Sequence, residues 1–503
     1  MKPFLKYLLL FVLFCAETQA QSSRPNIIMF MVDDMGWQDT SVPFWEKLTQ
    51  NNGKYKTPNM ARLAAKGVKF TQAYATPVCT PTRVSLISGM NALRHGVTNW
   101  TSPENGENSD GLDEELELDA WNMAGCSPIA GIPNTVHITP FPQILKDQGY
   151  FTVHAGKAHW GALGTPAANP TNLGFVVNVG GAATGHPQSY HGEDNYGNKA
   201  PRYSTHAVPD LEAYFGSTTF LSEAITNDAL KALDYPIAQN LPFFLYLSHY
   251  AVHTPIMADS SLVQKYLDKG FAPVEANYAS LVEGMDKSLG QVLDFLEDKK
   301  IDDETIILFM SDNGGLGNEH PAGKKANHDN APLKSGKGSV NEGGIREPMM
   351  AFWPGVTQAG TVCTQPIIIE DFFPTILEMA GIKEFNTVQQ TDGQSFVPFL
   401  KNRNQQTSRE LVWYYPHNWG ANGPGIDYFA ALRKDDYKLI WDIKAQKLSL
   451  FDLSKDIEES QDLSAKMPEK TRELAERMQA LLDERKAPVL HYKVSKKPVR
   501  VPF

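Results

Sequence analysis

The sequence predicts an α/β protein in which a sheet is buried between two layers of helices. Short runs that are apolar throughout, each followed at once by polar residues, alternate along the chain with helical patterns. Uninterrupted apolar runs are typical of strands covered on both faces, and strands interleaved with helices indicate a sheet between helical layers. With 503 residues and 42% apolar residues, the chain can form one large domain or two ordinary ones.

The main sheet begins with a predicted strand at residues 26–32, and further strands are predicted at residues 150–155, 242–247 and 305–310. Helical patterns lie between the strands at residues 142–148, 222–233 and 278–298. Charged or hydrogen-bonding residues follow each strand directly. Ligands of such sheets gather outside the carboxyl ends of the strands, so these polar clusters are predicted to meet at one site.

From about residue 400 the sequence predicts a smaller antiparallel sheet with a packed helix. Extended segments are expected at residues 411–416, 437–441 and 447–453, and a helix at residues 468–485. The helix has Pro468 near its start and carries Leu474 and Met478 on one apolar stripe. The predicted organisation is a leader at residues 1–20, a main domain at residues 21–400 and a C-terminal subdomain at residues 401–503.

The leader has the layout of a cleavable signal peptide. Lys2 and Lys6 precede an apolar run at residues 7–14, and Thr-Gln-Ala follows at residues 18–20. This pattern predicts that the mature chain begins at Gln21 and is exported, as a periplasmic or secreted protein.

A lipoprotein with an acylated Cys15 is the alternative. Against it, bulky Phe14 occupies the position where a small residue is usually required. No other apolar run approaches the ~20 residues that a membrane-spanning helix needs, so no membrane span is expected.

Charge and cysteine content limit the partners and ligands. The formal net charge is −11, which argues against nucleic acid as a partner. An acidic protein can still act on an acidic substrate if positive side chains and a metal are concentrated at one site. Cys79, Cys126 and Cys363 follow the leader and are too few for a disulfide framework or a zinc cluster. Whether Cys126 and Cys363 pair is left open by the sequence.

Cys79 begins the segment Cys-Thr-Pro-Thr-Arg, which ends at Arg83. Pro81 suits the first position of a helix and Thr80 suits its N-cap, which places Cys79 at the positive end of that helix. A nucleophile or a bound anion is favoured there. An isolated cysteine is otherwise more often a buried free thiol, and that is the alternative.

The segment at residues 79–89 resembles the Cys-x-Pro-x-Arg signature of the formylglycine-dependent sulfatases of the alkaline phosphatase superfamily. Further blocks resemble that family, in its order, at residues 26–34, 149–159, 253–255, 311–315 and 331–348, and the resemblance covers most of residues 24–465. It implies an alkaline-phosphatase-like mixed sheet between helices, with a smaller C-terminal antiparallel sheet and helix. It also implies that a separate maturation enzyme oxidises Cys79 to formylglycine before folding, and that the hydrated aldehyde supplies the attacking oxygen.

The candidate metal ligands carry oxygen atoms and are Asp33, Asp34, Asp312 and Asn313. Hard oxygen ligands select calcium or magnesium over zinc, and a cation would offset the repulsion between adjacent carboxylates. Either pair of residues alone would also fit a solvated acidic turn. The resemblance implies calcium, with magnesium as the alternative, and implies that the group derived from Cys79 is a further ligand.

Two lysines and two histidines match family positions that bind sulfate or move protons. Lys157 and His159 lie in Gly-Lys-Ala-His, which resembles the family's Gly-Lys-Trp-His block. The resemblance implies that Lys157 and Lys337 bind the sulfate and that His159 binds the formylglycine hydroxyl. His253, just before Thr-Pro, is implied to be the general acid, whereas His249 is interpreted as structural.

Sugar contacts are sought among histidine and aromatic residues. His186, in Gly-His-Pro-Gln-Ser-Tyr, is predicted to contact a sugar hydroxyl. Four aromatic residues could form a stacking platform or could instead pack in the core, namely Trp100, Trp413, Tyr414 and Trp419.

The resemblance implies a sulfuric ester hydrolase. Export, a soluble mature form and the Gly-His-Pro-Gln-Ser-Tyr segment indicate that it is exo-acting on sulfated carbohydrates. The implied transition state is stabilised by the metal and by Arg83, Lys157 and Lys337. The alternative enzyme is a phosphodiester or phosphonate monoester hydrolase on the same fold. A non-catalytic secreted sugar-binding protein is the alternative from another class, although a binding protein would need no complete nucleophile and acid.

Overall fold

The computed structural model describes residues 24–102, 113–199, 204–317, 330–402, 405–419 and 423–503. The predicted leader, with Cys15, lies outside these residues. In the described part of the chain, no helix combines the length and the apolar character that crossing a membrane requires.

The secondary structure alternates between strands and helices over most of the chain. In chain order the strands are β1 (Asn26–Val32), β2 (Val68–Tyr74), β3 (Leu116–Leu118), β4 (Cys126–Ser127), β5 (Val136–His137), β6 (Phe151–Gly156), β7 (Val177–Val179), β8 (Phe243–Ser248), β9 (Thr305–Ser311), β10 (Arg346–Phe352), β11 (Thr361–Cys363), β12 (Ile367–Ile368), β13 (Glu410–Tyr415), β14 (Phe429–Lys434), β15 (Tyr437–Asp442), β16 (Lys447–Asp452) and β17 (Leu490–Tyr492). The α-helices are α1 (Gln50–Lys54), α2 (Pro58–Lys66), α3 (Cys79–Ser88), α4 (Ala92–His95), α5 (Phe141–Asp147), α6 (Leu221–Ala238), α7 (Gln264–Leu267), α8 (Pro273–Lys299), α9 (Glu342–Ile345), α10 (Phe372–Met379), α11 (Val397–Lys401) and α12 (Pro468–Glu484). Short 3₁₀ helices lie at Pro166–Ala168, Pro170–Leu173, Gly192–Gly197, Glu212–Tyr214 and Ile369–Asp371.

Nine strands form one mixed sheet. Its order is β11-β2-β10-β9-β1-β8-β6-β7, and β12 also pairs with β2. β1 runs parallel to β8 and β9, and β6 runs parallel to β8, whereas β10 is antiparallel to both β9 and β2. This sheet, together with a separate antiparallel sheet near the C-terminus, confirms the predicted fold class.

The central strand β1 is buried on both faces. Ile27 and Met29 enter one hydrophobic core, and the alternate residues Ile28 and Phe30 enter another. The first core contains side chains of α3, α5 and α10, and the second contains side chains of α2, α6 and α8. Because helices cover both faces, the strand needs no polar side and reads as an unbroken apolar run.

The predicted elements of the main sheet lie close to the observed ones. Residues 26–32 coincide with β1, and the runs at 150–155, 242–247 and 305–310 correspond to β6, β8 and β9 within one residue at each end. Helix α6 extends beyond its predicted end because Pro236 is accommodated inside it.

Strands β13 to β16 form an antiparallel sheet in sequence order. Leu411 and Trp413 on one face of this sheet join the core of the large sheet. Val412 and Tyr414 on the other face join a third core with Leu474 of α12. Because the small sheet shares a core with the main one, the boundary at residue 400 stays a prediction.

Cys126 and Cys363 are both buried and free. The structure therefore answers the question that the sequence left open, since these two cysteines do not pair.

Candidate active site

The polar clusters meet at one edge of the large sheet. The strands β1, β6, β8 and β9 are parallel, so their carboxyl ends lie at the same edge. Asp33, Lys157 and Asp312 directly follow β1, β6 and β9. β2 runs in the same direction as β9, because both are antiparallel to β10, and it leads toward Cys79 at the same edge.

Helix α3 begins at Cys79, with the extended residue Val78 as its N-cap. The prediction that Thr80 caps the helix is wrong, because the helix starts earlier and the Thr80 hydroxyl has other partners. Its Oγ1 accepts a hydrogen bond from the Thr101 backbone N–H at 3.0 Å and lies 3.2 Å from both ring nitrogens of His159. Cys79 is 3% exposed, and burial raises the pKa of its thiol. An unmodified thiol here is therefore protonated and a poor nucleophile at neutral pH.

His159 lies between Cys79 and a backbone carbonyl. Its Nδ1 is 3.4 Å from the sulfur of Cys79, and its Nε2 is 2.9 Å from the carbonyl oxygen of Thr101. Since a carbonyl oxygen can only accept, Nε2 carries the proton and Nδ1 presents a lone pair toward position 79. Burial, reinforced by Lys157, holds the pKa of His159 well below its usual range. Gly185 packs against this ring, and a Cβ there would lie 2.5 Å from Cε1 of His159.

Three buried ion pairs form the centre of the site. They join Lys157 Nζ to Asp33 Oδ2 at 2.7 Å, Arg83 Nη2 to Asp312 Oδ2 at 2.7 Å, and Lys337 Nζ to Asp34 Oδ1 at 2.6 Å. Arg83 also donates from Nη1 to the hydroxyl of Ser248 at 2.6 Å and to the backbone carbonyl of Lys157 at 3.0 Å. The carboxylates thereby hold three positive groups in fixed places, which suits recognition of an anion.

The protonation of the ion pairs follows from burial and from their partners. Although burial opposes its ionisation, His253 and Lys337 lower the pKa of Asp34 far below its usual range. Burial likewise opposes the charge on Lys337, but Asp34 raises the pKa of its ammonium group. Burial, with Asp312 adding to it, raises the pKa of Asp33 well above the usual value, against the opposing effect of Lys157. Asp33 is thus the carboxylate that most needs an additional cation.

The predicted metal ligands are brought together and fit a hard cation. Asn313 Nδ2 donates to Asp34 Oδ1 at 2.7 Å, and the Asp34 backbone N–H donates to Asp312 Oδ1 at 3.2 Å. Oδ1 of Asp33 and Oδ1 of Asn313 are buried and have no hydrogen-bond partner among the described residues. Asp33, Asp34 and His253 place possible ligand atoms within 4.8 Å of one another. The acidic cluster could therefore bind a metal ion, and its oxygen atoms suit calcium or magnesium.

His253 lies beside this cluster and is more accessible. Its Nε2 is 3.5 Å from Asp34 Oδ2, and its side chain is 14% exposed whereas that of Lys157 is fully buried. Its Nδ1 is 3.0 Å from the carbonyl oxygen of Thr254. Burial lowers the pKa of His253 well below its usual range, while Asp34 opposes that effect.

His186 is also brought to the site. Its ring stacks on His253 with 5.5 Å between centroids and on His206 with 4.0 Å between centroids. His206 was not singled out from the sequence, because it is an isolated histidine in a loop without a recognisable motif.

His249 and two of the four aromatic candidates lie elsewhere. His249 is fully buried, and its Nε2 is 2.8 Å from the hydroxyl of Ser288. Trp413 and Tyr414 are buried in the cores, and Nε1 of Trp413 donates to the carbonyl of Ala75. For these two residues the structure shows the alternative of core packing and not a stacking platform, because alternate residues of β13 face two cores.

Comparisons with known proteins agree on one family. A sequence model of the family described as Sulfatase matches residues 25–382, and one described as N-sulphoglucosamine sulphohydrolase, C-terminal, matches residues 336–487. A sulfatase of Formosa agariphila is 29% identical, in an alignment that covers 91% of this chain and 88% of that protein. N-acetylgalactosamine-6-sulfatase of Mus musculus is 30% identical over 78% of this chain and 68% of that protein.

A solved structure supports the same assignment. The crystal structure of Ps i-CgsB superposes with a TM-score of 0.71 at 25% identity, covering 91% of this chain and 93% of that chain. The same protein was solved in complex with k-i-k-neocarrahexaose. The family and the enzyme class predicted from the sequence are thus confirmed. The chain belongs to the sulfatase family of the alkaline phosphatase superfamily and is a sulfuric ester hydrolase.

Proposed function

We propose that the protein is an exported enzyme that removes sulfate from carbohydrates, exo-acting, with a formylglycine diol at position 79 and a bound calcium ion. The meeting of Cys79 and His159 with three buried ion pairs at one sheet edge is the observation that carries the proposal. A separate maturation enzyme that acts on the unfolded chain would make the formylglycine. Export is proposed from the signal-peptide pattern at residues 1–20.

The sulfur of Cys79 stands in for an oxygen of the formylglycine diol. In the first step, one diol oxygen attacks the sulfur of the substrate and passes its proton to the nearby carboxylate of Asp33, while the bond from that sulfur to the alcohol oxygen breaks. His253 donates a proton to the departing alcohol. The substrate's sulfate group is then esterified to the residue at position 79.

His159 acts in the second step. With its lone pair on Nδ1 directed at position 79, it removes the proton from the remaining hydroxyl. The carbonyl group of formylglycine re-forms as the bond between the formylglycine carbon and the sulfate oxygen breaks. Sulfate therefore leaves without attack of water on sulfur. Addition of water to the aldehyde restores the diol. This cycle requires a neutral His159, which agrees with its lowered pKa.

Charge on the transferring group is balanced by fixed cations. Lys157, Lys337 and Arg83 are held by carboxylates and need little reorganisation when the charge develops. The sulfate also adds a negative charge beside His253, and a nearby anion raises the pKa of an imidazolium. Substrate binding therefore favours the protonated His253 that the first step needs.

Calcium would be held by Asp33, Asp34, Asp312 and Asn313, together with the group at position 79. It would supply positive charge to a sulfate oxygen and to the attacking group. Support comes from one buried oxygen each of Asp33 and Asn313 that accepts no hydrogen bond from the described residues, and from the absence of thiolate ligands in this set. Magnesium is the alternative ion.

The carbohydrate substrate is proposed from two relatives. The mouse relative is an N-acetylgalactosamine-6-sulfatase, and Ps i-CgsB was solved with k-i-k-neocarrahexaose. The test is a panel of regiospecifically sulfated monosaccharides beside an aryl sulfate and matched phosphate and phosphonate esters. Release of sulfate from one sugar, with little turnover of phosphorus esters, is expected. Faster turnover of the phosphorus esters would favour the phosphoesterase alternative, and binding without turnover would favour a sugar-binding protein.

A further inference from the structure

Three imidazole rings stack in a row beside the buried ion pairs. The rings of His206 and His186 are 4.0 Å apart between centroids and inclined by 17°. The rings of His186 and His253 are 5.5 Å apart and inclined by 13°. His186 is the ring shared by both stacked pairs. Of these three histidines, His253 alone is within ion-pair distance of Asp34.

Hydrogen bonds fix the tautomers of His206 and His186. The Thr184 hydroxyl donates to the backbone carbonyl of His186 at 2.6 Å, so its oxygen accepts at 3.0 Å from Nδ1 of His206, which carries the proton. Nδ1 of His186 is 3.2 Å from the carbonyl oxygen of Pro187 and must donate to it. Nε2 of His186 therefore has a lone pair, and no described residue donates a hydrogen bond to it.

The charge of His186 restricts what its free nitrogen can bind. Burial, with repulsion from His206 next in size, lowers the pKa of His186 to about 4. Lys157 and Lys337 act in the same direction. A neutral ring with an exposed lone pair does not attract a sulfate, but it accepts a hydrogen bond from a hydroxyl group. Sulfate and hydroxyl are thus recognised by different side chains.

We propose that His206 is a positioning residue that holds His186 as the hydrogen-bond acceptor for a free hydroxyl group next to the sulfate ester. We place this hydroxyl next to the sulfate ester because His186 lies against His253, and His253 protonates the oxygen of the bond that breaks. The enzyme accordingly selects sulfated sugars that keep this neighbouring hydroxyl. The inference rests on the proposed carbohydrate sulfatase function and adds the substrate feature that the site recognises.

The experiment compares two sulfated monosaccharides that differ only in the presence of the hydroxyl next to the sulfate. For the wild type, kcat/KM should be about tenfold or more higher with the hydroxyl, as expected for one satisfied hydrogen bond. His186→Ala should bring the ratio of the two kcat/KM values close to one. His206→Ala should lower it severalfold, mainly through KM of the hydroxyl-bearing sugar. His206→Phe keeps a stacked ring and should retain more of the ratio than His206→Ala.

Gln188→Ala is the matched control. The Gln188 backbone N–H donates to the carbonyl of His206, and its side chain accepts from the Ser204 hydroxyl, so the variant perturbs the same loop and keeps all three rings. The ratio should stay at the wild-type value. A purely structural role of His206 would instead lower kcat/KM equally for both sugars, and that result would overturn the inference.

Two further outcomes separate this inference from the function on which it rests. If the wild type hydrolyses both sugars with a ratio of one, the inference fails and the sulfatase function stands. If the wild type hydrolyses no sugar sulfate, the proposed function fails and the inference fails with it. If His206→Ala does not fold, as judged by circular dichroism, the ratio of the two kcat/KM values in the wild type and in His206→Phe still tests the inference.

Discussion

The sulfur of Cys79 lies 3.4 Å from Nδ1 of His159, whose other ring nitrogen donates to the carbonyl of Thr101. This arrangement directs the lone pair of a neutral imidazole at the first residue of helix α3. Burial raises the pKa of the Cys79 thiol. The base also suits a hydroxyl-bearing group in the same position, such as the formylglycine diol that we propose, because it can remove the hydroxyl proton.

Position 79 should carry formylglycine in the active protein. Mass spectrometry of the active enzyme should find the peptide that contains residue 79 with the mass of formylglycine. The peptides of Cys126 and Cys363 are internal controls and should keep intact thiols, since both residues are buried away from the site motif. Cys79→Ala should fold and lose turnover. An unmodified Cys79 in fully active enzyme would exclude the mechanism.

Removal of the metal should lower activity and the melting temperature together. A bound cation would stabilise the folded state because folding brings the carboxylates of the site together. Chelation should lower the melting temperature of the wild type but have little further effect on Asp312→Ala, which lacks a proposed ligand. Full activity after rigorous chelation, with no metal found in the protein, would contradict the assignment.

The elements and site residues that could be predicted have a local signal. Strand β1 reads as an apolar run because helices cover both of its faces, and Asp33 was found because it follows that run. The N-cap of α3 was missed because Val78 caps the helix through its backbone conformation without a side-chain hydrogen bond. His206 was missed because it reaches His186 only through the folding of a loop.

The small C-terminal sheet also has features that lack a local sequence signal. Strand β14 was not predicted, since its sequence, Phe-Ala-Ala-Leu-Arg-Lys, lacks the β-branched residues typical of strands. Lys438 pairs with Glu342 and Glu459, which are remote in sequence, so no short pattern reveals the contact.

Lys438 should contribute strongly to stability. It is fully buried, and its Nζ lies 2.8 Å from carboxylate oxygens of both Glu342 and Glu459. Lys438→Met would leave these carboxylates short of a partner and should reduce the free energy of unfolding by about 3 to 5 kcal/mol. Lys434→Met is the control, since Lys434 is partly exposed and its ion pairs are 3.5 Å long, and its cost should stay under about 1 kcal/mol. Equal losses in urea denaturation would refute this role for Lys438.

Glu370 should make the protein less stable as the pH rises from 4.5 to about 7. Burial and the neighbouring Asp371 raise the pKa of Glu370 from 4.5 to about 7. A carboxyl whose pKa is higher in the folded state favours folding while it is protonated, and that advantage is lost between pH 4.5 and about 7. Glu370→Gln should therefore raise the melting temperature relative to the wild type at pH 8 and have little effect at pH 4. Glu378→Gln, an exposed position on the neighbouring helix, should show no such pH dependence. A difference that is constant with pH would contradict the buried-carboxyl account.

The last prediction separates the roles of His253 and His159. If His253 protonates the departing alcohol, His253→Ala should reduce kcat on sugar sulfates by about 10²-fold or more. Aryl sulfates should lose far less, because a phenolate leaves without protonation, so the dependence of rate on leaving-group pKa should steepen. His249→Ala is the matched control, because His249 is buried against Ser288 and serves no step of the reaction. It should show no difference between the two substrate types.

His159→Ala should block the second step of the reaction, whereas His253→Ala slows the first. The first alcohol still departs, but no base remains to expel sulfate, so a sulfated enzyme should accumulate at position 79. Intact-mass measurement after a short incubation should reveal this adduct, and the burst of alcohol should approach one equivalent per site. Equal losses on both substrate types in His253→Ala, with no adduct in His159→Ala, would reverse or remove the roles assigned to the two histidines. His159 lies near position 79, whereas His253 lies beside Asp34 and is more exposed than His159. These positions favour the roles as assigned, because the base must reach the residue that carries the sulfate and the acid must reach the group that leaves.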